Sequence, residues 1–277
     1  MNLTEIQTFL AVVETRSLVR AARRLNVTQS TVTARIDSLE ERLGQRLLHR
    51  SKAGTELTSS GFKLQRYAEL LTQLWGQAQY EIGLPQGFTS VCNVGCYYDL
   101  WEGIGDRFLE HMRRHCPDVA VAIWPGDQIN IDRWLPTGLI DIAFCYSPQA
   151  RAPFAIREIG IDELVEVSFA AEGRQGEYVY VDYGDQFRRN HAIHRARQAP
   201  PAVTLASARW AIDHLGRAGA SGYLPRRQRA LFESRGRIIA DAPVLRQPIF
   251  MIENTDVTGH WPWLDSAIAS ISGSLKS

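Results

Sequence analysis

Residues 17–43, SLVRAARRLNVTQSTVTARIDSLEERL, constrain the fold of this chain more than any other stretch. Ser17 is suited to cap a helix, because its hydroxyl can accept from an orphan N–H of the first turn. Leu18, Ala21, Ala22 and Leu25 recur at helical spacing and give that helix one packing face. Asn26 tolerates the left-handed backbone that a sharp turn needs, so the helix ends there. Thr28 then caps a second helix in which Val32, Ile36, Leu39 and Leu43 form an apolar stripe. Gln29, Ser30, Thr31, Thr33 and Arg35 are left on the polar side of its start. Amide, hydroxyl and guanidinium groups at the start of a helix are the chemistry that reads base edges and phosphates at the mouth of a major groove.

An ordinary helical hairpin with solubilising hydroxyls gives the same local pattern, and the surroundings tell the two apart. Arg16, Arg20, Arg23 and Arg24 flank the first helix. Residues 45–50 and 55–57 read as two strands of a small hairpin with residues 51–54 at its tip, a wing that sets Arg50 and Lys52 on a phosphate backbone. The whole-chain charge of +1 hides an asymmetry: residues 1–66 hold 11 Lys/Arg against 6 Asp/Glu, whereas the rest holds 20 against 24. Polyanion binding is therefore expected only in the N-terminal quarter.

Residues 1–80 resemble the N-terminal winged helix-turn-helix and linker helix of LysR-type bacterial transcriptional regulators. The specific part is AARRLNVTQSTVTARIDSLEERLGQRLLHR, with Ala21, Ala22, Leu25, Gln29, Ser30, Val32, Leu39, Glu40, Leu43, Gly44 and Leu47 where the family has like residues. Thr31 stands where the family most often has proline, a departure that bears on base preference. The resemblance implies double-stranded promoter DNA as a partner, with Thr28, Gln29, Ser30, Thr31, Thr33, Arg35, Arg50 and Lys52 as the contacting set. It also implies RNA polymerase as a further partner.

Thr4 is expected to cap an opening helix whose Ile6, Phe9, Leu10 and Val13 pack behind the helix-turn-helix. Thr58 caps a long helix from Ser59 to about Tyr80, with Phe62, Tyr67, Leu70, Leu71, Leu74, Trp75 and Ala78 on one broad side. A helix of that length with an apolar stripe needs a mate, and the same helix of a second subunit supplies one. A two-fold pair also puts two reading heads on a pseudo-palindromic site. Family resemblance implies a homodimer or homotetramer built this way.

The GLPQG run at 83–87 ends the helix. Beyond it the pattern changes to strand-helix-strand alternation, which argues for parallel sheet covered by helices. Residues 91–95 and 119–124 read as strands around an amphipathic helix over 100–115 with Trp101, Ile104, Phe108, Leu109 and Met112 inward. A strand over 139–146 follows a further helix. Strand-like 164–170, 178–181 and 203–206, with helices over 185–197 and 209–215, form a second lobe, and residues 248–253 return to the first before a closing helix at 263–271. The expected class is α/β overall: an all-α winged helix-turn-helix domain with a long linker helix, then a two-lobed α/β effector domain like the periplasmic binding proteins. The boundaries are 1–58 for the DNA-binding domain, 59–82 for the linker and dimerisation helix, and 83–89 for a hinge. Residues 90–160 and 250–277 form lobe I and 161–249 lobe II. The two-lobed resemblance over 88–277 rests on element order, on GLIDIAF and on GASGYLP.

In open α/β sheets a ligand sits beyond the carboxyl ends of the strands, where helix N-termini present free N–H groups. That rule selects Cys96, Tyr97, Tyr98 and Trp101 after the first strand, Gly126 after the second, Tyr146 and Ser147 after the third, and Tyr183 and Ser207 from the second lobe. The resemblance implies a small organic anion there as effector. Tyr97 and Tyr98, where many relatives carry small hydroxyl residues, point to a small or planar ligand, or to a partly filled cleft.

Other functions find little footing. His111 and His115 have metal-capable spacing, but HMRRH lacks the glutamate of a zincin and reads as a solvated helix face. No nucleophile elbow, Walker loop or dinucleotide fingerprint occurs, so no catalytic residue, metal or cofactor is expected. An architectural DNA-binding protein whose C-terminal lobes only oligomerise, or an enzyme acting on a small metabolite, are the alternatives. Cys92, Cys96, Cys116 and Cys145 fit reduced thiols, with Cys92 and Cys96 either two small core residues or a redox pair. The N-terminus does not resemble a signal peptide and no apolar run is long enough to span a membrane, so a cytoplasmic location is expected.

Overall fold

Asn2, not Thr4, caps the first helix: its side chain accepts from Thr4 N–H, and the Glu5 carboxylate reaches back to the Asn2 N–H at 3.2 Å. The computed structural model describes residues 2–51, 54–149, 153–171, 176–195 and 200–274. It divides into two units, residues 1–84 and 85–277.

In the N-terminal unit, α1 (Leu3–Thr15), α2 (Leu18–Arg24) and α3 (Gln29–Leu43) close around Ile6, Phe9, Val12, Ala21, Val32, Ile36 and Leu39, all buried. Ser17 and Thr28 cap α2 and α3 as their side chains suggest, and Asn26 turns the chain at φ 51. Leu43 does not join the stripe. It is 44% exposed, because the helix ends at Gly44, whose left-handed φ of 62 lets the next two amides fold back onto the last turn. The wing follows as β1 (Leu48–Ser51) paired antiparallel with β2 (Gly54–Leu57). Two contacts fix it. Thr55 N–H donates to the Arg16 carbonyl, and buried Glu40 accepts from the N–H groups of Leu47 and Leu48 at 2.7 and 3.1 Å while pairing with Arg46. The long helix α4 (Ser59–Ile82) starts on the Thr58 cap. At Gly61 a Cβ would stand 2.1 Å from the Leu47 carbonyl oxygen, so only glycine lets α4 approach the wing's root this closely.

In the C-terminal unit, β3 (Ser90–Tyr97) leads through an irregular turn to α5 (Asp106–His115), then β4 (Val119–Gly126), α6 (Gln128–Trp134) and β5 (Ile142–Cys145). β3 lies between β4 and β5, parallel to both. The helix expected from residue 100 begins only at Asp106, because Gly103 sits at φ 82 and breaks helical geometry. This turns Trp101 outward while Ile104, Phe108 and Met112 keep their inward positions.

The remainder departs from the parallel pattern. β6 (Phe154–Ser168) is one 15-residue strand running through the position where a lobe boundary was expected. It is followed by β7 (Val179–Val181), α7 (Asp185–Arg195), β8 (Val203–Leu205), α8 (Ala208–Ala218) and β9 (Ser221–Pro225). The short helix α9 (Arg229–Phe232) and β10 (Arg237–Ile238) lead to β11 (Leu245–Asn254), then α10 (Thr255–Thr258) and α11 (Leu264–Ser274). β11 lies between β5 and β6, antiparallel to both, with a register shift at Ile249/Phe250. The described sheet is ordered β10-β6-β11-β5-β3-β4, with β9 also on β6, and β7 and β8 form a separate parallel pair. Period-two patterning cannot report strand direction, and two long strands shared along the whole unit are a tertiary choice.

Replacing Glu40 with alanine leaves two buried amides unsatisfied and should cost the N-terminal unit about 3 kcal/mol or more, at 1–3 kcal/mol for each. Glu40→Gln, which keeps one acceptor, should recover much of that. Chemical denaturation of the three proteins checks it, and a loss under about 1 kcal/mol for the alanine variant would show that the amides find other partners.

Candidate functional site

The start of α3 presents a polar, partly exposed surface on the N-terminal unit. Thr28 Oγ1 accepts from Thr31 N–H at 3.2 Å and lies 2.8 Å from the hydroxyls of both Ser30 and Thr31, so these three polar groups hold each other at the helix mouth. Gln29 and Ser30 are exposed, and Thr31 and Thr33 half-buried. Arg35 turns back towards α1 and donates to Thr8 Oγ1 at 3.3 Å, so part of its donor capacity serves the fold. Arg50 lies in the strand β1, and Lys52 falls outside the described residues. An exposed helix start beside a wing pinned to the end of α1 is a geometry that can enter a groove and straddle its phosphates.

In the C-terminal unit a cleft of about 320 Å³ opens beyond the ends of β3, β5 and β7. Of the nine residues selected from the sequence, Tyr97, Tyr146, Ser147 and Tyr183 line it. The three rings sit edge to face, with centroids 5.4 Å apart for Tyr97 and Tyr146 and 6.1 Å for Tyr146 and Tyr183. Their hydroxyls are turned to protein: Tyr146 donates to Asp162 at 2.6 Å, Tyr183 to the Tyr223 carbonyl at 2.9 Å, and Tyr97 to the Asp182 carbonyl at 3.5 Å.

The other five do not line the cleft. Cys96 is buried in the core, where desolvation pushes its thiol up to about 12, and all four cysteines are buried free thiols. Gly126 lies beneath the Trp134 ring. Tyr98 and Trp101 are exposed outside it. Ser207 is buried and donates to Asp99 Oδ1 at 3.1 Å.

Beside the cleft lies a polar knot that sequence reasoning missed. Arg227 is nearly buried and donates through Nε to Asp162 at 2.9 Å, through Nη2 to Tyr146 Oη at 3.2 Å and the Asp99 carbonyl, and through Nη1 to the Glu102 carbonyl. Burial alone would lower its pKa, but the Asp162 carboxylate and the Tyr146 hydroxyl outweigh that and hold it above the ordinary value. Asp99 is fully buried, and its Oδ1 also accepts from Ala208 N–H at 2.8 Å, at the start of α8. Desolvation pushes the Asp99 carboxyl up to about 6, against the lowering pull of the Ala208 amide, Arg227 and Ser207. The wall residues also missed are Asp127, Gln128, Ile129 and Asp132 around α6, and Asp182, Gly184, Asp185 and Arg188 around the start of α7. Two signals were available. Asp127 and Asn130 form a capping box immediately after Gly126, and the acids at 182 and 185 flank Tyr183.

Among the described residues no three His, Cys, Asp or Glu side chains gather as a metal site. His111 and His115 stack at 4.4 Å, with His111 facing Ser266 and His115 facing the His111 carbonyl. No described helix is long and apolar enough to cross a membrane.

Residues 3–62 match the model of the bacterial regulatory helix-turn-helix protein, lysR family. HdfR of Escherichia coli, a transcriptional regulator of helix-turn-helix type, is 26% identical over 92% of this chain and 94% of its own length. Residues 3–62 are therefore a LysR-type helix-turn-helix domain. The regulator YofA of Bacillus subtilis is 29% identical over 61% of this chain, and the match spans only 59% of YofA's own length. The fold of the whole chain is that of CbnR, a LysR family regulator, with a TM-score of 0.77 at 18% identity and full coverage of both chains. CbnR complexed with its target DNA matches with the same score at 19% identity, over 99% of this chain and all of that one.

Replacing Asp99 with asparagine tests the carboxyl buried beside this cleft. A carboxyl raised in the folded state binds its proton more tightly there than in the unfolded chain, so its contribution is full below about pH 4 and lost as pH rises through about 6. Asp99→Asn should therefore gain stability relative to the parent between about pH 4.5 and 7. Denaturation midpoints of the two proteins that stay parallel across that range would show that Asp99 titrates normally.

Proposed function

We propose that this chain is a DNA-binding transcriptional regulator that reads promoter DNA as a two-fold oligomer and responds to a small molecule held in the cleft of its C-terminal unit. The observation that carries the reading is the start of α3, where Gln29 and Ser30 stand exposed on a helix anchored from behind by the buried stripe of Val32, Ile36 and Leu39. Rigid backing with polar side chains in front is what base discrimination requires. Thr28, Thr31, Thr33 and Arg35 complete the helix mouth, and Arg50 and Lys52 of the wing take phosphates. Residues 1–58 then serve as reading head, 59–82 as dimerisation helix and 83–89 as hinge. Residues 90–160 with 250–277, and 161–249, form the two effector lobes.

Oligomerisation is supported by α4. Phe62, Tyr67, Trp75, Tyr80 and Ile82 are exposed along it, an apolar surface too large for a solvated helix. Leu71, Leu74, Trp75 and Ala78 also line a groove of about 390 Å³ with Leu3 and Ile6 of α1. A second copy of α4 fits this surface, giving a dimer and, through further contacts, a tetramer. A cytoplasmic location and a contact with RNA polymerase follow from the same reading.

Gln29→Ala should lower the ratio of operator to random-duplex affinity by about tenfold, within the ~1–3 kcal/mol of one bidentate base contact. Fluorescence anisotropy on both duplexes measures it, and equal loss on both would count against base reading. Trp75→Glu should shift the protein towards monomer in light scattering and weaken operator binding with it. A dimer of unchanged stability would place the interface elsewhere.

A further inference from the structure

The cleft's electrostatics specify what it holds. Its described lining carries four carboxylates, Asp127, Asp132, Asp182 and Asp185, against the single guanidinium of Arg188. That guanidinium is already spent: it pairs with Asp182 at 2.5 Å and with Asp185. The Asp127 and Asp132 carboxylates have no basic partner among the described residues. Asp127 caps α6 and Asp132 accepts from Gln128 Nε2 at 2.8 Å. Desolvation raises the Asp132 carboxyl, the neighbouring Asp127 raises it further, and only the Gln128 hydrogen bond opposes them. Gln128 itself keeps a buried Oε1 with no donor among the described residues.

Two features that could receive an anion, the start of α8 and the Arg227 guanidinium, are occupied by the chain. Asp99 sits on the start of α8, bonded to Ala208 N–H and Ser207 Oγ, where a ligand carboxylate would otherwise find the helix N–H groups. Arg227 has four donor contacts committed to Asp162, Tyr146 and two carbonyls. An organic anion entering this cleft would meet carboxylates and orphan acceptors. A ligand that brings positive charge and N–H donors would meet their complement, with the rings of Tyr97, Tyr146 and Tyr183 adding cation–π attraction.

We propose that the cleft takes a small organic cation, an amine or guanidinium on a short apolar or aromatic body, in place of the organic anion that the family resemblance implies. This rests on the cleft being the effector site, and its volume of about 320 Å³ sets the ligand at the small end of the usual range.

The test titrates the full-length protein by calorimetry with agmatine, putrescine and tyramine against succinate and benzoate, and repeats it with Asp132→Asn and with the double variant Asp127→Asn, Asp132→Asn. Asparagine preserves the cap of α6, and circular dichroism confirms folding. The expected result is that at least one cation binds, that its Kd rises tenfold or more in the double variant, and that neither anion gives heat. Succinate or benzoate binding that strengthens in the double variant would overturn the cation assignment while leaving the cleft as an effector site. A cation whose affinity is the same in parent and variants binds elsewhere and also overturns it. Silence from all five probes, together with operator affinity unchanged by any of them, would overturn both the assignment and the effector reading.

Discussion

The C-terminal unit turns on one buried ion pair, Arg227 with Asp162. Asp162 belongs to β6, Tyr146 follows β5, and the carbonyls of Asp99 and Glu102 belong to the turn after β3, so a single guanidinium joins three segments distant in sequence. Four acceptors are satisfied at once, which makes a charge so deeply buried tolerable. Removing either partner would leave the other charge stranded, at a cost of about 3–5 kcal/mol. The pair does more than hold the turn. It pulls Tyr146 against Asp162, and thereby sets the edge-to-face stack of Tyr97, Tyr146 and Tyr183 that lines the cleft.

The same interaction shapes the cleft's chemistry. An arginine at a crevice is ordinarily a receptor for carboxylate or phosphate, but here its donors are consumed internally. Asp99 does the equivalent at the start of α8 by occupying the helix amides with a carboxylate of the chain. What is left facing the cavity is acidic. Charge at the site is thus decided by which side chains pair with one another, and the near-neutral formal charge of the whole chain says nothing about it.

The N-terminal unit depends on a comparable anchor. Glu40, inside the apolar stripe of α3, accepts from Leu47 and Leu48 and so fixes the angle at which the wing leaves the helix. The Arg16 carbonyl receives Thr55 from the other strand. Both anchors lie away from the exposed start of α3, so Gln29 and Ser30 take no part in attaching the wing.

Local chemistry made much of this legible from sequence. Ser17, Thr28 and Thr58 cap their helices, Asn26 makes the turn, and the apolar spacing of α1 to α3 reports their core, because caps and periodicity act within a few residues. The rule that ligands lie beyond strand ends selected Tyr97, Tyr146, Ser147 and Tyr183, which line the cleft. Only the tertiary structure decided the rest. Gly103 delayed α5 and turned Trp101 outward, β6 ran unbroken through an expected boundary, and β11 entered antiparallel between β5 and β6. Arg227 is separated from Asp162 by 65 positions and from Asp99 by 128, and no pattern in sequence announces a hydrogen bond over such distances. Periodicity records which face of an element is buried, whereas the partner on the other side of that face is chosen by the fold as a whole.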